Sequence, residues 1–391
     1  MPELSPTLLN ITEDGSDGWE VFIRARKMIA SGTHVSELTI GEHDIRTDPS
    51  ILAAMNDAAR GGHTGYAMVP GTVALREEVA SRVQSRTGVA TDYENVLITP
   101  GGQAALYAAH LAVCPFGRKA LYLDPYYATY PGTLRGVGAI ATPIQTRAED
   151  GFQPKASEIE KHAEGAASLL INSPNNPTGV IYSRETLEDV AHVCRKHDLW
   201  LISDEVYDSQ IWEGTHISPR ALEGMKERTL VIGSMSKSHA MTGSRIGWIV
   251  GPKEVIAHLA NLATHTTYGV AGFVQDAALF ALQQGDALEN KVAEPFKRRR
   301  ALTVDILGRQ NHIKMIPADG AMYVMLDIRA TGLSGEEFAN RLLDDHHIAV
   351  MPGESFGKAA AGHIRVAMTI EDAKYVEALK TLCAFAAQLC E

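Results

Sequence analysis

Five short runs of this chain carry no polar face, and helical segments separate them. They are Val96-Leu97-Ile98-Thr99, Ala120-Leu121-Tyr122-Leu123, Ser168-Leu169-Leu170-Ile171-Asn172, Leu199-Trp200-Leu201-Ile202-Ser203 and Leu230-Val231-Ile232. A strand that is apolar on both sides must be covered on both sides. The pattern therefore predicts an α/β fold, a mostly parallel sheet covered by helices. Helices are predicted over 19–30, 49–60, 72–87, 104–113 and 184–197, the second capped by Asp48 with Pro49 in its first turn. Just beyond the runs stand Gly101, Tyr127, Asn176, Asp204 and Lys237. Ligands of open α/β sheets bind at the carboxyl ends of the strands, so five separate stretches point to one crevice. From about residue 290 the pattern changes to a long charged helix, short strands over 322–327 and 363–368, and more helices. That change predicts a smaller α+β domain, residues 1–48 and 290–391, beside a large domain of residues 49–289. Residues 1–10 read as a surface arm, and 36–40 as a short strand.

The chain has 391 residues, room for two such domains, with 47 acidic against 36 basic residues and a net charge of -11. That balance disfavours nonspecific nucleic-acid binding. The one basic run, Lys297-Arg298-Arg299-Arg300, is expected to be a solvated or subunit-facing surface of a helix. The four cysteines form no short-spaced pair, which fits a reducing compartment and favours neither a zinc site nor a disulfide framework. Adjacent residues point in different directions, so His346-His347 beside Asp344-Asp345 are not expected to hold a metal. With no long apolar run and no basic-then-apolar start, a soluble cytoplasmic chain with no membrane partner is expected.

The fifth run leads into Ser234-Met235-Ser236-Lys237 and on to Arg245-Ile246-Gly247. A lysine hemmed in by Ser, Met and Ala is badly placed as a surface solubiliser. Desolvation disfavours an ammonium, and a neutral amine is what a lysine needs in order to attack a carbonyl carbon. The Arg245 guanidinium, with Ser234, suits the oxygens of a phosphate. Taken position by position, residues 234–247 resemble the cofactor-lysine signature of the class I/II pyridoxal-phosphate aminotransferases. Every place in that fourteen-residue pattern is filled.

Other residues bear on the same chemistry. Gly101-Gly102-Gln103 lies between a strand and a helix, where backbone amides can face a phosphate, though such turns also serve packing alone. Asp204 ends an apolar strand and needs a partner: a protonated pyridine nitrogen, or else a helix end or a buried cation. Tyr207 and Asn176 can hydrogen-bond the phenolic oxygen of such a ring, and Tyr127 can stack on it or pack as core. Arg365, flanked by apolar strand residues, demands an anion, either a substrate carboxylate or a structural acid.

The resemblance extends over roughly residues 35–385, to the fold type I enzymes of the aspartate aminotransferase superfamily. It implies that Lys237 carries pyridoxal phosphate, that Asp204 pairs with its ring nitrogen, and that Asn176 and Tyr207 hold its ring oxygen. It implies a phosphate cup of Gly102, Gln103, Ser234 and Arg245, completed by Tyr66 of a neighbouring subunit. Gly41, Asn176 and Arg365 resemble the group that binds the substrate's α-carboxylate. A homodimer with shared active sites follows from the same likeness. Two positions depart from the pattern. Gly41-Glu42-His43-Asp44-Ile45 has histidine where proline is usual, which places an imidazole near the substrate entrance, and Tyr127 stands where some aspartate-preferring members have tryptophan. The expected activity is transfer of an amino group between an L-amino acid and a 2-oxo acid, with aspartate or a related amino acid as a first guess. Arg24 and Arg26 are candidates for a distal carboxylate. The rivals are a lyase or decarboxylase on the same fold and a catalytically idle regulator built on it.

Overall fold

The structure, a computed structural model, describes residues 2–12 and 18–390. In chain order the strands are β1 (Ser36–Leu38), β2 (Val96–Thr99), β3 (Lys119–Asp124), β4 (Ile140–Gln145), β5 (Ala166–Asn172) and β6 (Trp200–Asp204). They continue with β7 (Thr229–Ser234), β8 (Gly247–Val250), β9 (Lys314–Met315), β10 (Tyr323–Asp327), β11 (Ile348–Pro352) and β12 (His363–Ala367). The large sheet has the order β2-β8-β7-β6-β5-β3-β4, parallel except where β8 runs against β2 and β7. β2, β5, β7 and β8 are buried along their whole length, as strands without a polar face require.

Neither β4 and β8 in this sheet nor β9 and β11 in the second were expected from sequence. β4 is an edge strand with no clear alternation that is largely exposed, and β8 is only four residues long inside a stretch read for its lysine signature. Helix starts fared better. Asp48 caps Pro49–Arg60 by accepting from the Ser50 amide at 2.9 Å, and helix Gly102–Val113 begins directly at the glycine turn.

A second sheet, β1-β11-β12-β10-β9, is antiparallel apart from the β1–β11 pair. Its core joins Leu38, Phe296, Val324, Phe338, Val366 and Leu379, so the segment before residue 48 and the chain after 290 share one apolar cluster. The segment around Pro6–Leu9 lies elsewhere, against helix Tyr130–Gly136, with Arg135 donating to the Ile11 carbonyl. The basic run is divided: Lys297 and Arg298 are exposed, while the other two are drawn inward. Arg299 is buried and forks onto Asp44 while also reaching Asp372, and Arg300 pairs with Glu213 and Asp319. These arginines tie the long helix Asp286–Leu307 to neighbouring loops, because acids from distant parts of the chain converge on it.

Candidate active site

Strand register brings the chemistry together. Asn172 at the end of β5 lies beside Asp204 at the end of β6, and Ser234 at the end of β7 lies beside Gly247. A cavity of about 310 Å³ opens at this edge. Gly41, Gly102, Gln103, Tyr127, Asn176, Asp204, Tyr207, Ser234, Lys237, Arg245 and Arg365 all line it. Of the site residues expected from sequence, only Tyr66 lies outside the cavity of its own chain. It is 91% exposed, with its ring 5.1 Å from that of Tyr268.

Lys237 sits in the turn of helix that Ser234 caps, the serine accepting from the Ser236 amide at 3.1 Å. Its Nζ donates to the Gly41 carbonyl. Gly41 cannot be larger, since a Cβ there would overlap the Tyr323 hydroxyl. Behind the lysine, its carbonyl is held by Gln210 at 3.2 Å and by the His43 ring at 2.9 Å. His43 is thus buried behind Lys237, with Phe296 edge-on at 5.4 Å, and not at the substrate entrance. The turn after Gly41 points the histidine inward and leaves Glu42 exposed on the cavity rim. Burial, with the Lys237 charge adding to it, pushes the His43 imidazole down to about 3, so it is neutral at ordinary pH.

Asp204 is buried and accepts from the Tyr130 hydroxyl at 2.6 Å and the Val206 amide at 3.3 Å. Desolvation raises its carboxyl to about 6 despite both donors. Among the described residues no lysine or arginine reaches it, so neither a salt bridge nor a helix end explains why a carboxylate is buried here. Tyr207 meets the Tyr323 hydroxyl at 3.2 Å, and both rings face the cavity. The sequence reading missed Tyr130 and Tyr323. Tyr130 opens its helix three residues after Tyr127, and Tyr323 follows the predicted start of its strand directly, yet no local signal says which face either ring takes.

At the other end, Gly101 has φ 82, and a Cβ there would fall on the Arg245 guanidinium. Gly102 starts its helix within reach of Ser234, and Gln103 is tied sideways to Thr133 at 2.7 Å and Thr129 at 3.0 Å. Free amides at a helix start, a guanidinium and a capping serine form an anion cup. Among the described residues Arg245 itself holds only the Thr242 carbonyl, at 2.7 Å.

Arg365 is fully buried. Its guanidinium bonds to Asn176 Oδ1 at 2.8 Å and to the Thr39 carbonyl, and it lies 4.4 Å from the Tyr323 ring and 4.3 Å from that of Phe356. Among the described residues its Nε has no partner, and the titratable groups that act on it are tyrosines, not carboxylates. Arg24 and Arg26 are not near: the first pairs with Asn340 and Asp344, the second with Glu37. One cavity thus offers an amine, a buried carboxylate, an anion cup and an unpaired guanidinium. That set fits a phosphorylated aromatic ring carrying a cationic nitrogen, together with an acid bound at Arg365.

Residues 33–382 match the family model for aminotransferase class I and II. An arginine–pyruvate transaminase of Pseudomonas aeruginosa is 40% identical over 380 residues, 97% of each chain. An aspartate/prephenate aminotransferase of Thermus thermophilus is 33% identical over 361 residues, 91% of this chain and 92% of that one. The solved Thermus thermophilus aspartate aminotransferase with maleate is 32% identical and superposes with a TM-score of 0.92, covering 98% of this chain and all of the other. The chain therefore belongs to the class I and II aminotransferases, pyridoxal-phosphate enzymes of fold type I that move an amino group between an amino acid and a 2-oxo acid.

Proposed function

We propose that Lys237 is the residue that bonds the cofactor and moves the substrate proton, with Asp204, Asn176, Tyr207 and Tyr127 around the ring. Gly102, Gln103, Ser234 and Arg245 hold its phosphate, and Gly41, Asn176 and Arg365 hold the α-carboxylate. Pyridoxal phosphate, when bound, supplies a carbonyl carbon that bonds amines and a ring that accepts the electron pair released at Cα. Asp204 keeps the ring nitrogen protonated. Tyr207 and Asn176 would orient the ring oxygen, and Lys237 Nζ would take the proton from Cα and give it back to the cofactor carbon on the other side of the substrate nitrogen. In domain terms, residues 49–289 form the cofactor-binding unit, and residues 20–48 with 290–391 form the smaller one, while the arm around Pro6–Leu9 lies on the larger unit.

The observation that carries the substrate reading is the buried Arg365 without an acid. A guanidinium in that setting costs several kcal/mol unless an anion arrives, and every amino acid and 2-oxo acid brings a carboxylate. Arg365→Lys keeps the charge and loses the fork. It is expected to weaken all donors and acceptors alike, by about 10- to 100-fold in kcat/KM. Loss confined to dicarboxylic substrates would make Arg365 a side-chain selector instead.

For the donor we favour a basic or neutral amino acid over aspartate. Arg245 and Arg365, the guanidiniums that line the cavity among the described residues, already have tasks, and Glu42 offers a negative charge at its rim. The similarity to a transaminase named for arginine and pyruvate agrees with this. A panel of amino donors against pyruvate, 2-oxoglutarate and oxaloacetate tests it, and aspartate as the fastest donor would reverse it. Release of ammonia or carbon dioxide at the turnover rate, without a matching new amino acid, would favour the lyase or decarboxylase reading.

We also infer a cytoplasmic homodimer with shared sites. The four cysteines are free, and no helix among the described residues is long and apolar enough to cross a membrane. Tyr66 and Tyr268 form an exposed aromatic pair, a surface suited to cover by a second copy. If Tyr66 completes the site holding the partner's cofactor lysine, homodimers of Tyr66→Ala and of Lys237→Ala are each severely impaired. In a mixed dimer both defects fall in one site and the other site is intact. Random exchange makes about half the dimers mixed, so mixing should restore roughly a quarter of wild-type activity. Demonstrated exchange without recovery would assign Tyr66 to its own chain.

A further inference from the structure

The turn over residues 353–360 belongs to the smaller unit, yet it is fastened to the end of β3 in the large sheet. Asp124, the last residue of β3, is buried there. Its Oδ2 accepts from the Lys358 amide at 3.0 Å and its Oδ1 from the Ala359 amide at 3.2 Å. The Tyr126 amide donates back to the Phe356 carbonyl at 2.9 Å. The strand end is itself fixed, because the Thr146 amide and hydroxyl hold the Asp124 carbonyl at 2.9 and 2.7 Å. Gly357, at φ 116, allows the approach, since a Cβ there would overlap the Asp124 carboxylate. The neighbouring Phe356 is fully buried and packs its ring on the Arg365 guanidinium.

Arg365 has few means of fixing its own plane. It makes two hydrogen bonds, leaves Nε unpartnered, and otherwise rests on Phe356 and Tyr323. A fork that grips a carboxylate in two places must be held in orientation by what surrounds it. We propose that Asp124 is a positioning residue for carboxylate binding: it pins the 353–360 turn, and through Phe356 it sets the plane of Arg365. The inference rests on the assignment of Arg365 to the substrate carboxylate. Burial raises the Asp124 carboxyl to about 6, against the pull of the two amides and the Lys358 ammonium, so above that pH it is the ionised acceptor this role needs.

Two variants break the same contact from opposite sides. Asp124→Asn turns one acceptor into a donor facing an amide. Lys358→Pro removes an amide donor and leaves the carboxylate in place, at the first position of a short 3₁₀ turn where proline is tolerated. In single-turnover half-reactions well above pH 6, both should raise the saturation constants for amino donor and for 2-oxo acid by about tenfold. The limiting rates should stay within about threefold, and the colour of the bound cofactor should be unchanged. Phe356→Leu should match them, and the Asp124→Asn/Phe356→Leu pair should be no worse than Phe356→Leu alone, because one path is being cut twice. Unchanged saturation constants in the single variants, or effects that multiply in the double one, would overturn the proposal and leave Asp124 a purely structural tie. Should Asp124→Asn fail to fold, Lys358→Pro decides. Arg365→Lys separates the two layers: if it leaves carboxylate binding intact the underlying assignment fails, and if it behaves as expected while the Asp124 and Lys358 variants bind normally, only the positioning role fails.

Discussion

Lys237→Ala is expected to fold, to bind pyridoxal phosphate without the yellow colour of a lysine-bound cofactor, and to lose turnover by on the order of 10⁴-fold or more. The size follows from what the side chain is asked to do. In the role proposed for it, it provides the covalent hold on the cofactor, and its Nζ is an amine that lines the cavity and donates to the Gly41 carbonyl. Folding should survive, because Lys237 is only half-buried and its one side-chain bond goes to a carbonyl. The backbone contacts of its carbonyl, to His43 and Gln210, remain in the alanine variant. Absorbance of the purified protein and a single-turnover half-reaction with an accepted donor check the two halves separately. A colourless wild type that stays colourless with added cofactor would remove Lys237 from its role, and so would a yellow, active alanine variant.

Asp204→Ala should retain some cofactor yet slow the half-reaction by on the order of 10³-fold, since a buried electrostatic partner of the reacting ring is lost. Asp204→Asn adds a sharper signature in the cofactor-free protein. The folded carboxyl sits near 6, above its ordinary value of 3.8, so the folded chain holds this proton more tightly than the unfolded chain does. The resulting penalty is absent below 3.8, grows as pH rises, and is complete above about 6, where two units amount to roughly 3 kcal/mol. Asparagine carries no such charge. Above pH 6 the cofactor-free Asp204→Asn protein should therefore melt no lower than the cofactor-free wild type, while the wild type gains more from added cofactor. Near-normal half-reaction rates in Asp204→Ala would show that the ring nitrogen does not depend on this residue. Equal stabilisation of both proteins by cofactor would show the same.

What sequence by itself determined was the frame and which candidate site residues would gather at one edge of it. Apolar runs such as 168–172 and 229–234 can be buried only in a covered sheet, and the residues that follow such strands gather at one edge whatever the loops do. Asp204 and Arg365 were legible because each puts a charge where burial forbids one without a partner, and Lys237 because of the fourteen-residue pattern around it. Tertiary structure decided which partners arrive. Tyr130 on Asp204, Tyr323 and Phe356 on Arg365, and the Asp124 clasp on residues 358 and 359 join positions 9 to 235 residues apart in the chain. Helix phase and loop path set these contacts, and neither is encoded in a local pattern. The same reason moved His43 from the expected substrate entrance to a buried place behind Lys237, and turned Arg299 from a solvated face into an ion pair. Where a side chain points depends on the surface that packs against it, and that surface comes from elsewhere in the chain.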